Sequence, residues 1–209
     1  KIKLKKYKSY SYASLVIKEN LDYQSALQLY IQSSRLPGIF IEKGSKRKYI
    51  TSAYPVSSTL SISHLLGYLG KLNDEETDKL KDSGYLLFDN IGKTGLEKTY
   101  ESDLRGKYGI KKVEVNALGR EQNVLAEDPP QPGKNLVLTL DLEAQQKLER
   151  LTQNMLLKTN KKRAVAIAMD PRDGSILAMV SLPAFTNNEF AGGITRQNYD
   201  KYNLNPDNP

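Results

Sequence analysis

Residues Gly92 to Gly109 read GKTGLEKTYESDLRGKYG, and the chain on either side is best understood from this stretch. Gly92 and Gly95 suit a tight turn with positive φ or a close backbone approach. Leu96, Tyr100 and Leu104 then recur at i, i+4 and i+8, the stripe of one helix face. Glu97 and Glu101 fall early in that helix and Arg105 in its last turn, the order the helix dipole favours, and Gly106 supplies a stop. The expectation is a glycine turn feeding one short, capped helix.

Two catalytic readings of the same residues fail on spacing. Gly92-Lys93-Thr94 looks like the end of a phosphate-cradling P-loop, but that motif needs a glycine five residues before Gly92, where position 87 is leucine. Lys93-Thr94-Gly95 spells the Lys-Thr-Gly triad of penicillin-recognising serine enzymes, whose companions are a Ser-x-x-Lys nucleophile and a Ser-x-Asn motif. The one Ser-x-x-Lys is Ser45-Lys46-Arg47-Lys48, inside a basic run with no sign of a buried helix start, and Ser-x-Asn does not occur. Neither motif is read as catalytic, and no catalytic, metal or cofactor-binding residue is assigned.

Composition narrows the class. A chain of 209 residues has room for one large domain or two small ones, and 39% hydrophobic with 26% charged residues is ordinary for a globular protein. No apolar run reaches the roughly 18 residues of a membrane span, and Lys1 to Lys6 do not lead into the apolar core of a signal peptide. Starting without Met, the chain is read as an excised fragment. With no Cys, disulfides and thiolate metal sites are excluded. The net charge of +7 is concentrated in Lys1–Lys8 and Lys43–Lys48. Such runs are ordinarily solvated; they also leave open anionic lipid, an acidic polymer or a nucleic-acid-binding module, although no nucleic-acid motif is recognisable.

In chain order, Asp22 caps an expected helix whose Tyr23, Ala26, Leu27, Tyr30 and Ile31 form a core-facing stripe, ended before Pro37-Gly38. Residues 38–42 read as a strand, residues 49–63 as extended or looped, and His64 to Gly70 as a short buried strand. His64, the single histidine, has no second ligand type near it in sequence and is read as a hydrogen-bonded structural residue instead of a base or metal ligand. Asn73 with Glu76 three residues on marks the start of a polar helix over 75–81. Residues 111–116 and 121–125 flank Leu118-Gly119 as a hairpin. Residues 127–133, EDPPQPG, form the expected domain boundary. Beyond it come a strand at 136–140 and a helix capped by Asp141 with Leu142, Leu148, Leu151, Met155 and Leu156 on one side. Apolar strands at 164–169 and 176–180 follow, joined by the turn Asp170-Pro171-Arg172-Asp173-Gly174. Strands this apolar need cover on both faces, and about 30 residues remain to supply it, so the second domain is read as incomplete.

Taken together in order and spacing, several of these pieces resemble the class B penicillin-binding proteins, and among them the elongation-type penicillin-binding protein 2 family. The carrying residues are Leu36-Pro37-Gly38, His64-Leu65-Leu66-Gly67-Tyr68, Gly92 through Gly106, Glu114-Val115-Asn116 with Gly119-Arg120, Leu138 to Asp141 with Gln145, and Asp170 to Gly174 through Ser181-Leu182-Pro183 and Asn188. The match runs over about residues 36–209. Two family features depart: the membrane-proximal Arg-Gly…Asp-Arg-Asn-Gly segment has no counterpart, and the Arg-x-Tyr-Pro motif is split between Arg47-Lys48-Tyr49 and Tyr54-Pro55.

The resemblance implies an α+β chain: an elongated, non-catalytic pedestal (dimerisation) domain of short helices and small antiparallel sheets over 1–127, a linker over 128–135, and the start of an α/β D,D-transpeptidase domain over 136–209, cut before its catalytic serine. It implies no enzyme activity for this piece and no cofactor, and a parent that crosslinks peptidoglycan stem peptides, binds β-lactams, is anchored by a single membrane span and faces the periplasm. Implied partners are a SEDS-type glycan polymerase, a rod-complex scaffold protein and a second copy; septal and resistance-type relatives share the pedestal. Arg47, His64, Gly67, Gly92, Gly95, Glu97, Tyr100, Arg105, Gly106, Asp170 and Gly174 are implied as structural motif residues. Because a buried carboxylate needs a partner, Glu97 is expected to be partly buried and paired with an arginine, Arg47 first and Arg105 second.

Overall fold

A computed structural model describes residues 16–36, 38–39, 41, 44, 46–50, 60–86, 88–116, 121–191 and 193–204. The chain gathers into two compact units, Lys1–Gly44 with Val115–Gln122, and Ser45–Glu114 with Asn123–Pro209. Short helices alternate with small sheets throughout, an α+β arrangement.

In the first unit, α1 (Tyr23–Gln32) starts where expected, because the Asp22 carboxylate accepts from the Ser25 N–H at 2.9 Å. Those bonds to Ser25 hold the Asp22 carboxyl below its ordinary range. The apolar stripe of α1 does not face a core: Tyr23, Leu27, Tyr30 and Ile31 are exposed, Tyr23 at 81%. Helical spacing fixes which residues share a face, while cover for that face is a tertiary matter. The strand expected at 38–42 is also not formed at its described residues. Gly38 takes φ +82 and the Ile39 N–H donates to Leu36 O, so a turn stands there. Pro37, Phe40 and Glu42 lie outside the described residues.

The first helical element of the second unit among the described residues is Leu60–Ile62, a single turn that runs into α2 (Ser63–Leu66). The strand expected over His64–Gly70 is thus half helical. The Gly67 N–H closes α2 on Ser63 O, Gly67 takes φ +74, and β1 (Leu69–Lys71) begins only beyond it. The α3 helix (Asp74–Leu80) is started by a reciprocal capping box: the Glu76 N–H donates to Asn73 Oδ1 and the Asn73 N–H to Glu76 Oε2, both at 2.8 Å. Strand β2 (Asn90–Gly92) pairs antiparallel with β1, Leu69 opposite Gly92.

The opening stretch forms two helices, α4 (Gly95–Thr99) and α5 (Glu101–Leu104), in place of one. The backbone leaves the helical range at Tyr100, and Glu101 turns back to accept from the Gly92 N–H at 2.9 Å and the Tyr85 hydroxyl at 3.1 Å. Strands β3 (Ile110–Val115) and β4 (Glu121–Asp128) pair as the hairpin reading requires; its apex, Leu118-Gly119, lies outside the described residues, as does Arg120.

Residues 129–135 do not run free of their surroundings. Lys107 and Gln131 exchange backbone hydrogen bonds, and the Lys134 N–H donates to Asp103 O. A Cβ at Gly106 would lie 2.4 Å from Gln131 O, and one at Gly133 2.0 Å from Leu104 O. Gly106 therefore serves close approach and not a left-handed helix stop.

Asp141 caps α6 (Leu142–Thr159) by accepting from the Ala144 N–H at 2.8 Å. Antiparallel strands β5 (Ala164–Met169) and β6 (Ile176–Leu182) follow, with an irregularity at Ala168/Met169. Residues 136–140 form no strand; they lie along the start of β6, where the Thr139 hydroxyl donates to Ile176 O and the Asp141 N–H to Leu177 O. The last helix, α7 (Arg196–Asn203), is capped by Thr195. The small core includes Ala178 and Val180 of β6 with Phe185, Ala191 and Tyr49. The buried stripe of α6 is polar, Gln145, Glu149 and Thr152 at i, i+4 and i+7, whereas Leu142, Leu151 and Met155 of the expected apolar side are exposed.

Candidate functional site

Three glycines build the first part of the site by letting backbones touch. A Cβ at Gly67 would stand 1.9 Å from Thr94 O, one at Gly95 2.4 Å from Leu65 O, and one at Gly92 2.1 Å from Glu97 O. Gly95 also needs its φ of +60. The end of α2 is thereby pressed onto the start of α4, and Glu97 is carried into a closed position.

The Glu97 side chain is 8% exposed and paired with Arg47, whose Nε lies 2.9 Å from Oε1 and whose Nη2 donates to Oε2 at 3.2 Å. The Tyr49 hydroxyl adds a third donor, to Oε1 at 3.1 Å. Both carboxylate oxygens are satisfied by a forked cation and a phenol, the arrangement that makes a buried charge tolerable. Burial, followed by the Glu97 charge and its hydrogen bond, pushes the Tyr49 phenol above its ordinary range. Arg105, the second expected partner, is engaged elsewhere.

The same segment is tied to residues 136–204 by side-chain amides. The Tyr49 N–H donates to Asn188 Oδ1 at 2.9 Å and Asn188 Nδ2 donates to Tyr49 O at 2.7 Å. Asn187 Nδ2 donates to Ser63 O and Gly67 O, and the Phe185 N–H donates to Ser63 Oγ. Gln145 receives the Met179 N–H at 2.7 Å and donates to Met179 O at 2.8 Å and Ser61 Oγ at 2.9 Å. Ser61 in turn donates to Glu149 Oε2 through both its hydroxyl and its N–H.

His64 lies in this junction. Its Nε2 is 3.1 Å from Pro183 O, and since a carbonyl only accepts, Nε2 carries the proton. Its ring meets Phe185 edge-on at 5.0 Å, within a cluster that continues through Tyr68, Phe190 and Tyr202. Those residues and Thr94 line a cleft of about 290 Å³. Lys93 of the Lys-Thr-Gly triplet is held by Glu76, and Thr94 and Gly95 begin α4. Ser45 lies outside the described residues. Among the described residues no group of three or more His, Cys, Asp and Glu could hold a metal ion.

A second cluster surrounds Arg105. Its guanidinium stacks 3.4 Å from the Tyr85 ring centroid and donates to Ser83 O, Gly84 O and Asp89 Oδ2, while the Tyr108 hydroxyl donates to Asp89 Oδ1. Tyr100 is exposed between α4 and α5. Asp170 and Gly174 belong to the β5–β6 turn: Arg172 grips Asp170 in a bidentate pair, its hydrogen bonds holding the Asp170 carboxyl below its ordinary range, and Gly174 takes φ +78. The sequence-expected residues therefore divide. Arg47, His64, Gly67, Gly92, Gly95 and Glu97 come together, while Arg105 and Asp170 with Gly174 anchor local features.

Sequence reasoning did not select Tyr49, Ser61, Ser63, Glu149 or Asn187 for the site. The available signal was Gln145, Glu149 and Thr152 on one face of α6, a stripe that reads as solvent-facing until its partners are known.

The sequence profile of the Penicillin-binding Protein dimerisation domain matches residues 1–138. The chain is 36% identical over 206 residues to the peptidoglycan D,D-transpeptidase MrdA of Escherichia coli K12, covering 97% of this chain and 30% of that protein. Among solved structures it is similar to penicillin-binding protein 2 in complex with MreC from Helicobacter pylori, at 31% identity and a TM-score of 0.67, covering 90% of this chain and 32% of that one. It is also similar to penicillin-binding protein 2B of Streptococcus pneumoniae, at 26% identity and a TM-score of 0.63, covering 83% and 29%. The chain thus spans about a third of the length of the relatives it matches.

Proposed function

The chain belongs to the Penicillin-binding Protein dimerisation domain family, and from that premise we propose that it is the non-catalytic pedestal of an elongation-type peptidoglycan D,D-transpeptidase, joined to the beginning of the catalytic domain. The division is pedestal 1–127, connection 128–135 and catalytic portion 136–209. The observation that carries this reading is the amide-bonded junction: Asn187, Asn188 and Gln145 bind the backbone or side chains of Tyr49, Ser61, Ser63 and Gly67. A pedestal has to hold its enzyme in a fixed orientation, and directional hydrogen bonds fix orientation where apolar contacts alone allow sliding.

The exposed outer row of β5, Val165, Ile167 and Met169, supports a catalytic domain that continues the fold over this sheet. In this reading Arg47, His64, Gly67, Gly92, Gly95 and Glu97 shape the platform, Asp170 and Gly174 shape a turn of the catalytic portion, and the parent supplies the acylating serine. The whole protein crosslinks stem peptides and binds β-lactams at the extracytoplasmic face of the plasma membrane. Among the described residues no helix is long and apolar enough to cross a membrane; a single membrane anchor is part of what the resemblance suggests for the parent. Since the Helicobacter pylori relative was solved with MreC, a rod-complex scaffold of that kind is the proposed partner. A SEDS-type polymerase and a second copy complete the set suggested by the resemblance.

Incubation with fluorescent penicillin tests the division of labour. The parent protein is expected to be labelled stoichiometrically and the 1–209 chain not at all. Labelling of the chain itself would overturn the assignment of this piece as non-catalytic.

A further inference from the structure

Gln145 is 1% exposed, and its three side-chain hydrogen bonds all leave its own helix. Two of them engage both main-chain polar groups of Met179, so the side-chain amide stands where the peptide group of a neighbouring strand would stand. Met179 is opposite Ile167 in the ladder with β5. At a non-hydrogen-bonded position of an antiparallel pair, the N–H and C=O point away from the partner strand, which leaves them for Gln145.

The third bond turns this from a local cap into a link. Gln145 Nε2 donates to Ser61 Oγ, and Ser61 donates to Glu149, one turn further along α6. The donors run in one direction, from Gln145 to Ser61 to Glu149, and Gln153 donates to the other oxygen of Glu149 at 3.2 Å. Ser61 lies in the single turn that leads into α2, whose end is pressed against Thr94 and Gly95. A shift of the 60–67 segment would have to break the Ser61 bonds or move β6 with it.

We infer that Gln145 is a positioning residue that locks strand β6 to the 60–67 segment through Ser61, so that the placement of the pedestal sets the placement of this strand in the catalytic sheet. The catalytic consequence rests on the transpeptidase reading above; the lock itself does not.

The test uses the full-length parent carrying Gln145→Met, which keeps length and volume but loses the amide, and separately Ser61→Ala, which spares the Met179 pairing. Hydrogen exchange at the Met179 amide is expected to rise on the order of tenfold in Gln145→Met, the fold-change that losing one or two buried hydrogen bonds gives. Acylation by fluorescent penicillin is expected to slow about three- to tenfold in both variants, with the limiting rate constant falling and the half-saturating concentration unchanged. Exchange at Met179 unaltered in Gln145→Met, or acylation at the wild-type rate in Ser61→Ala, would overturn the lock. Should Gln145→Met not fold, Ser61→Ala decides. A wild-type parent that takes up no penicillin would sink the transpeptidase reading alone, and amide exchange across residues 60–67 in Ser61→Ala, faster if the lock holds and unaltered if it does not, would still decide the lock.

Discussion

Asn188 pairs through its side-chain amide with both main-chain polar groups of Tyr49, a residue 139 positions earlier in the chain. The same Tyr49 donates its hydroxyl to Glu97, so one residue is held from its backbone by Asn188 and from its ring by Glu97. Gln145 treats Met179 in the same way. Two side-chain amides doing the work of peptide groups is what lets segments far apart in sequence join without a shared strand.

Asn188→Asp keeps the acceptor for the Tyr49 N–H and loses the donor to Tyr49 O, setting a carboxylate against a carbonyl. A loss of about 1 kcal/mol in unfolding free energy is expected, the contribution of one hydrogen bond at a part-buried position. Urea denaturation of Asn188→Asp beside Asn188→Ala checks it, the aspartate being at least as destabilising as the truncation.

The Arg47–Glu97 pair should respond to shape as well as charge. Arg47→Lys retains the cation but cannot present Nε and Nη2 together, and a loss of about 1 kcal/mol is expected. Glu97→Ala leaves the Tyr49 hydroxyl and Arg47 without their shared acceptor and should lose about 2–4 kcal/mol. Equal midpoints in guanidinium for wild type and Glu97→Ala would show that the pair contributes nothing.

Gly67 and Gly174 both take positive φ, but only Gly67 meets a neighbour. The Cβ of Gly67→Ala would overlap Thr94 O, so this variant is expected to fail to fold or to lose more than about 3 kcal/mol. Nothing lies within 4 Å at Gly174, and Gly174→Ala should lose only about 1 kcal/mol of backbone strain. Comparing soluble yield and melting temperature separates the two.

Acid should weaken the start of α3. Burial alone would raise the Glu76 carboxyl, but the Lys93 hydrogen bond, the Asn73 N–H and the charges of Lys93 and Lys98 outweigh it and hold the group below its ordinary range. A carboxyl depressed in the folded state contributes stability above its unfolded value and loses it as pH falls through the folded value. Urea midpoints measured from neutral pH downward should therefore drop more in the wild type than in Glu76→Gln. Parallel curves would remove Glu76 from the account.

Features encoded within a few residues were legible in advance. The Asp22 and Asp141 caps, the Asn73–Glu76 box, the β5 and β6 strands and their turn depend on neighbours three to five positions away, and the chain forms each of them. The Arg47–Glu97 pair was accessible too, because the resemblance made Glu97 a motif residue and a buried carboxylate demands a cation. The expected 38–42 and 136–140 strands depended on hydrophobic runs alone, and a short apolar run can as well lie in a turn or along another strand's end. His64 to Gly70 was misread for a related reason: the positive φ of Gly67, which divides helix from strand, is set by the approach of Thr94.

By itself the sequence determined local starts and stops, the glycine-dependent approaches around Gly92 and Gly95, and the family, because each is written in residue type and spacing along the chain. Only the tertiary structure decided that the buried face of α6 is Gln145, Glu149 and Thr152, and that Asn188 would reach Tyr49. A polar side chain faces water or the interior according to whether partners are brought to it, and those partners arrive from residues as much as 139 positions away.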